Sequence, residues 1–344
     1  MHKAILYEKK EHDLVRCTAC QNYCVIAKDT SGVCGVRRNI DGDLCLLVYG
    51  QASAANVDPI EKKPLYHVLP GESVFTIGTV GCNFSCQFCQ NWDISQVTKG
   101  LRKKPLEHTK ELLAYGYKLS PQDIIDICKK QRIPAVAFSY NEPAIFFEYA
   151  YDTMLLAKKE GIKTVFVSNG YASNESLDKL AGLLDAINID LKSFKDEFYR
   201  KHSQARLQPV LDTIKRCHDL GIWVEVTTLF IPGENDAGQE MRDIITFIAG
   251  IDVNIPWHIS AFHPSYKMLD KQPTPHETLK RAYHLGREKL HFVYVGNVHD
   301  PERSATYCPH CEKKVIERHG SAVHNSLSKQ ACPFCNTAIP GIFK

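Results

Sequence analysis

Three cysteines, Cys82, Cys86 and Cys89, fall within eight positions of one another in the stretch GCNFSCQFC. Thiolates so spaced hold metal ions or iron–sulfur clusters, and a metal that only staples a domain is usually closed by four protein ligands. A tight set of three therefore leaves a coordination position for a small molecule. Two further groups are complete quartets. Cys308, Cys311, Cys332 and Cys335 read CxxC, twenty residues, CxxC, a spacing that places four thiolates tetrahedrally around zinc as in a zinc ribbon, or around a single rubredoxin-like iron. Such a site is structural by default, because a segment of about forty residues needs a staple to hold itself together. Cys17, Cys20, Cys24 and Cys34 suit zinc or an iron–sulfur cluster equally. Of the fourteen cysteines only Cys45, Cys128 and Cys217 stand alone, and the last two, in helical patterns, read as small buried hydrophobes.

The elements that must position the triplet begin at residue 74. Short β-rich runs alternate from there with amphipathic helical stretches, the signature of a parallel sheet wrapped by helices. The expected strands are 74–80, 135–140, 163–169, 186–192, 223–230, 257–262 and 292–298, apolar enough to be covered on both faces. Ser120 and Pro121 read as an N-cap and first-turn pair, with Asp123 favoured by the helix dipole. Gly161, Gly182 and Gly221 mark helix ends. Seven strands with intervening helices imply an α/β fold with a partial or complete TIM-like barrel, or else a doubly wound open sheet. In a barrel, the loop carrying the triplet follows the first strand at the catalytic mouth. Residues 1–73 form a cysteine-rich extension whose NIDGDL turn reads as a hairpin. Residues 74–304 form the barrel, and 305–344 the C-terminal ribbon.

A chain of 344 residues with a formal net charge of +3 gives no argument for nucleic acid, and the basic LRKKP at 101–105 reads as a solvated loop. His12 likewise reads as solvated. The first residues lack the apolar stretch of a signal peptide, and no segment approaches eighteen unbroken apolar residues, so a cytoplasmic protein with no membrane partner is expected. Reduced thiols in that compartment argue against disulfides.

CxxxCxxC, present as Cys82, Cys86 and Cys89, resembles the hallmark of the radical S-adenosylmethionine (SAM) superfamily. The resemblance implies a [4Fe-4S] cluster with one open iron that chelates SAM. One electron then cleaves SAM to a 5′-deoxyadenosyl radical, which abstracts hydrogen from substrate. Further motifs carry the resemblance along the barrel. SYNEP (139–143) resembles the Gly-Gly-Glu-Pro turn that meets the methionine amine, implying Asn141 and Glu142, although Tyr140 and Asn141 replace the glycines. VSNGY (167–171) resembles the ribose contact, implying Ser168 and Asn169. NIDLK (188–192) resembles the Asp-x-Lys of activating enzymes, implying Asp190 and Lys192 as cofactor-binding and catalytic residues. VYVGNV (293–298) resembles the adenine pocket, implying Gly296 and Asn297, and Phe88 matches the aromatic position against adenine. Together with CTACQNYCVI, GVCGVR, FIPGEND and WHISAFHPSYKM, these resemble the AmmeMemoRadiSam-system enzymes, relatives of pyruvate formate-lyase activating enzyme, over residues 17–298.

The implied partners are a reductant such as flavodoxin or ferredoxin and Memo-like and AMMECR-like proteins. Each motif also has an architectural reading: Asp190 and Lys192 as an interior ion pair, Glu142 as a helix-capping neighbour. Within the SAM-cleaving reading, a glycyl-radical-enzyme activase is one version; the alternatives to it are an iron–sulfur electron carrier and a zinc-stapled interaction protein. No ferredoxin-like insert follows Cys89, which weakens the activase. His263, Tyr266 and Lys267 stand at a strand end, where loops carry function.

Overall fold

The computed structural model describes residues 1–107, 116–320 and 322–343. Its main sheet has eight strands: β1 (Ala54–Pro59), β2 (Ser73–Gly78), β3 (Ala135–Phe138), β4 (Lys163–Ser168), β5 (Ala186–Asp190), β6 (Trp223–Phe230), β7 (Trp257–Ala261) and β8 (Val293–Gly296). Strands β2 to β8 run parallel and lie side by side in chain order. A doubly wound sheet reverses its order at a switch point, and this one never does, so the winding is that of a barrel. Among the described residues no ladder joins β1 to β8, which leaves the barrel open along one side. Strand β1 pairs antiparallel with β2, so the sheet starts before residue 73.

The pleat divides the strands' side chains between two cores. Val136 and Phe138 join the large cluster shared with the helices, whereas Ala135 and Ala137 face Val74, Val165 and Ala186, with Leu65, Val68 and Leu69 packed against them. Alanines on that inner face leave space inside the sheet. The helices carry the expected punctuation. Ser120 and Asp123 form a reciprocal capping box on helix Pro121–Gln131, whose Ile124, Ile125 and Cys128 are buried, a device that contributes about 1 kcal/mol. Cys217 is buried in helix Leu207–Asp219.

Two modules flank the sheet. In the N-terminal one, Arg37–Ile40 and Asp43–Leu46 form the expected hairpin, with Asp41 and Gly42 both at positive φ (50° and 81°), as a two-residue type I′ turn requires. Arg37 reaches out of this hairpin to clamp Glu148 of helix Phe147–Lys159 through bonds of 2.7 and 2.9 Å, and both side chains are 2% exposed. Burial opposes the Glu148 charge, but Arg37 outweighs it and holds the carboxyl below its ordinary value. The C-terminal module is a three-stranded antiparallel sheet of Thr306–Tyr307, Lys314–His319 and Ala322–Asn325. It docks where the barrel strands begin: Arg318 donates to the Tyr66 carbonyl at 2.8 Å, and Ile342 N to the His67 carbonyl at 2.7 Å.

Candidate active site and metal centres

The polypeptide leaves β2 through two tight glycines. A Cβ on Gly78 would lie 2.7 Å from the Ser139 carbonyl oxygen, and one on Gly81, at φ +91°, 2.7 Å from that of Cys34. Asn141 secures the same turn. Its amide donates to Thr79 Oγ1 (3.0 Å) and the Gly81 carbonyl (2.8 Å), and its oxygen accepts from Thr79 N (3.2 Å). The triplet follows. Ser85 N and Gln87 N donate to the carbonyls of Ser203 and His202, while Lys267 N donates to that of Gln87, each at 2.9 Å. Tyr266 stacks on Trp92 with centroids 5.4 Å apart. Cys86 lies 3.4 Å from Ser203 Oγ, and Cys89 Sγ 3.1 Å from Ser95 Oγ.

All three cysteines line a cavity of about 750 Å³ that the inner faces of the strands enclose. The same wall includes Phe88, Asn141, Glu142, Ser168, Asn169, Asp190, Lys192, Gly296 and Asn297, so the structure gathers the triplet and every candidate SAM contact, from five separate motifs, around one space. Glu142 follows β3 and is 2% exposed. It accepts from Ser168 Oγ (3.0 Å to each oxygen), Asn169 N (2.8 Å) and Ala144 N (3.0 Å). Burial outweighs these bonds and pushes the carboxyl up to about 7. Lys192 pairs with Asp190 at 2.8 Å and stands over the Phe88 ring at 5.7 Å. Burial opposes its charge, but Asp190 and Cys86 outweigh burial, so the ammonium is held above its ordinary value. Asn297, at φ 61°, donates to the Ala261 carbonyl at 2.7 Å, and a Cβ on Gly296 would meet nothing within 4 Å.

Two residues of this wall have a buried polar atom without a hydrogen bond, Glu61 at Oε2 and Asn169 at Oδ1. Asn169 donates to Asn83 Oδ1 at 2.8 Å, yet its own Oδ1 is buried without a hydrogen bond. A buried orphan acceptor costs about 1–3 kcal/mol, and a polar ligand in the cavity would satisfy it. Three soft thiols, an ammonium, a carboxyl and this acceptor are a donor set that fits an iron–sulfur cluster with a bound zwitterionic nucleoside.

Sequence reasoning missed the buried polar cluster behind Tyr66 and His258 of the cavity wall. Glu225 of β6 is fully buried and accepts from His258 Nε2 (2.6 Å), Trp223 Nε1 (3.0 Å), and Tyr66 N and His67 N (each 2.9 Å). Burial opposes its charge, but His258 foremost holds the carboxyl below its ordinary value. Burial pushes His67 down to about 4, so it is neutral. The Pro340 carbonyl 2.7 Å from Nδ1 can only accept, so Nδ1 carries the hydrogen and Nε2 accepts from the Tyr294 hydroxyl at 2.6 Å. A lone acid among the strand apolars was the available signal. Asn235, in the FIPGEND motif, has a role that the motif alone does not show: its amide donates to the carbonyls of Lys192 (2.6 Å) and Leu229 (2.8 Å), tying the ends of β5 and β6 together.

The C-terminal quartet forms a metal centre of another kind. Its four sulfurs lie within 4.8 Å of one another, with Cys308 and Cys335 3.5 Å and Cys311 and Cys332 3.6 Å apart. Four thiolates about 2.3 Å from one tetrahedral ion are about 3.8 Å apart, so this set fits a single ion. The two knuckles repeat one geometry: Glu312 and Asn336, each four residues after a cysteine, have φ 58° and 61°.

The parallel sheet, the triplet at its mouth and the enclosed cavity define a class. Residues 76–248 match the radical SAM superfamily, and this chain belongs to that superfamily. Over 344 residues it is 38% identical to the uncharacterized protein MJ0808 of Methanocaldococcus jannaschii, covering 98% of this chain and 99% of that one. It is 22% identical over 215 residues to the pyruvate formate-lyase 1-activating enzyme of Escherichia coli, covering 59% of this chain and 83% of that one. Among solved structures, a domain of pyruvate-formate lyase-activating enzyme from Bacteroides vulgatus aligns with a TM-score of 0.42 at 17% identity, covering 47% of this chain and 98% of that one. The protein is thus a radical SAM enzyme similar to activating enzymes, and no helix among its described residues is long and apolar enough to cross a membrane.

Proposed function

We propose that this chain is an AmmeMemoRadiSam-system enzyme that cleaves SAM reductively and abstracts hydrogen from a substrate or partner protein. The observation that carries the proposal is the convergence of the cysteine triplet, Glu142, Asn169 and Lys192 on one cavity. Cys82, Cys86 and Cys89 would hold a [4Fe-4S] cluster, and the bound cluster and SAM together supply the 5′-deoxyadenosyl radical.

The chain's own residues bind, orient and exclude water. Glu142, oriented by Ser168, faces the methionine amine. Asn169 offers its free oxygen to a ribose hydroxyl, and Phe88, Gly296 and Asn297 flank the adenine. Asn141 acts through the turn that it secures. Lys192, held by Asp190, sets a positive charge beside Cys86 and the methionine carboxylate. The C-terminal quartet would hold zinc and fasten its module against the barrel.

A second cavity of about 320 Å³ beside the triplet loop is lined by Lys99, Arg102, Lys201 and Lys267, with no acid on its wall. Such a wall suits the acidic face of a one-electron donor such as flavodoxin or ferredoxin. Memo-like and AMMECR-like proteins are the proposed partners in the cytoplasm. A second reading, activation of a glycyl radical enzyme, is favoured by the similarity to the pyruvate formate-lyase 1-activating enzyme. The test is anaerobic reconstitution with iron and sulfide, reduction, addition of SAM and measurement of 5′-deoxyadenosine. Wild type should form it and Cys86→Ala should not; a wild type that binds iron but forms none refutes the proposal.

A further inference from the structure

The N-terminal quartet is a third metal centre whose occupant the activity above leaves unassigned. Cys17, Cys20 and Cys34 are buried and Cys24 half-buried. They face one another: Cys20 interacts electrostatically with Cys17, Cys24 and Cys34, and Cys24 with Cys17 and Cys34. Yet among the described residues only the C-terminal quartet draws its sulfurs within 4.8 Å of one another. A single ion gathers four sulfurs to about 3.8 Å. A cluster spreads them, because each thiolate binds a different iron. The N-terminal quartet, like the triplet, is not gathered into the single-ion spacing of the C-terminal one.

Its position supplies the second argument. The Lys99 ammonium donates both to the Cys82 carbonyl (2.6 Å) and to that of Val33 (3.4 Å), next to Cys34. Thr98 Oγ1 donates to the Cys34 carbonyl at 2.7 Å, and Asn22, between Cys20 and Cys24, donates to that of Asn83 at 3.4 Å. The loops that carry the two sets of ligands therefore touch directly. The Arg37 guanidinium, fixed by Glu148, interacts electrostatically with Cys17 and Cys34, which moderates the negative charge that four thiolates bring to one place.

We propose that Cys17, Cys20, Cys24 and Cys34 hold a second iron–sulfur cluster that relays electrons to the triplet. With a thiolate on every coordination position, it has no iron free for a small molecule. Its chemistry is one-electron transfer: an external low-potential donor is oxidised by one electron, this cluster is reduced by one and passes that electron inward, and no bond breaks.

The test uses the full chain carrying Cys82→Ala, Cys86→Ala and Cys89→Ala together, reconstituted anaerobically with iron and sulfide. Iron, acid-labile sulfide and zinc are counted, and the electron paramagnetic resonance spectrum is recorded after dithionite, with and without SAM. The expected result is retained iron and sulfide, about half the wild-type content if both clusters are cubanes, with a reduced-cluster signal that SAM does not alter. In Cys20→Ala/Cys24→Ala that signal should disappear while the SAM-sensitive one remains. A triplet variant without iron, whether it carries two zinc ions or no metal at the quartet, overturns the proposal. The triplet variant is decisive by itself, even where the quartet variant fails to fold.

Discussion

Replacing Glu142 by glutamine tests the cavity's electrostatics most directly. With a carboxyl that titrates at about 7, about a tenth of the side chain is ionised at pH 6 and about nine tenths at pH 8. A ligand ammonium that pairs with the ionised form should bind about tenfold more weakly at pH 6 than at pH 8. The glutamine variant keeps any slope that belongs to the ligand itself, so the prediction concerns the difference between the two proteins. Equilibrium dialysis of radiolabelled SAM with the reconstituted, oxidised proteins at pH 6, 7 and 8 measures it. Stability supplies an independent reading. Burial raises this carboxyl above its ordinary 4.5, so its contribution is fully present below pH 4.5 and is lost as pH rises through about 7. The difference is about 3 kcal/mol, and the glutamine variant should lack it in urea melts. Equal pH slopes for both proteins in both measurements would refute the reasoning.

Other outcomes follow from the same geometry. Arg37→Met leaves Glu148 buried without its partner and should cost about 3–5 kcal/mol by urea denaturation, with Arg37→Met/Glu148→Leu recovering most of it. Gly81→Ala forces a methyl to within 2.7 Å of the Cys34 carbonyl oxygen and should lower the iron content of the reconstituted protein by about half or more. Cys311→Ala should lose a bound zinc, measured by elemental analysis, and lower the soluble yield, while the soluble fraction still forms 5′-deoxyadenosine. Chelation of the metal held by the C-terminal quartet should lower the melting temperature of the native protein.

Much of this arrangement was legible in the residues because its signals are local. All seven parallel strands lie where alternating apolar runs placed them, and Trp223–Phe230 coincides with its expected bounds. The others end early, as with Ala135–Phe138 against 135–140 and Val293–Gly296 against 292–298. Polar residues such as Ser139 and Asn297 extend a β-like run in sequence, although the ladder has already stopped. Strand β1 was not anticipated: AANVDP is an edge strand, part exposed and ending in proline, so it carries no apolar alternation. The candidate site was legible as five short motifs, but the roles within it were not. Asn141 reads as a ligand contact, and its motif gave no sign that it also bonds Thr79 and Gly81. Glu225 carried no motif, because its meaning lies in His258, Trp223 and the backbone of 66–67, which only folding assembles around it.

The unpaired edges of the sheet have a consequence for the shape of the cavity. Asp58 and Pro59 on one edge and Gly296 on the other all border the large cavity, so the missing staves of this barrel form a seam that runs into its reaction chamber. The C-terminal module borders the same seam: Arg318 stands 3.7 Å from Glu61, just past the first edge, and Gly320 shares the cavity wall. Gly296, with nothing within 4 Å of where its Cβ would stand, leaves its stretch of the cavity wall bare, and a larger side chain at this one position would narrow the chamber.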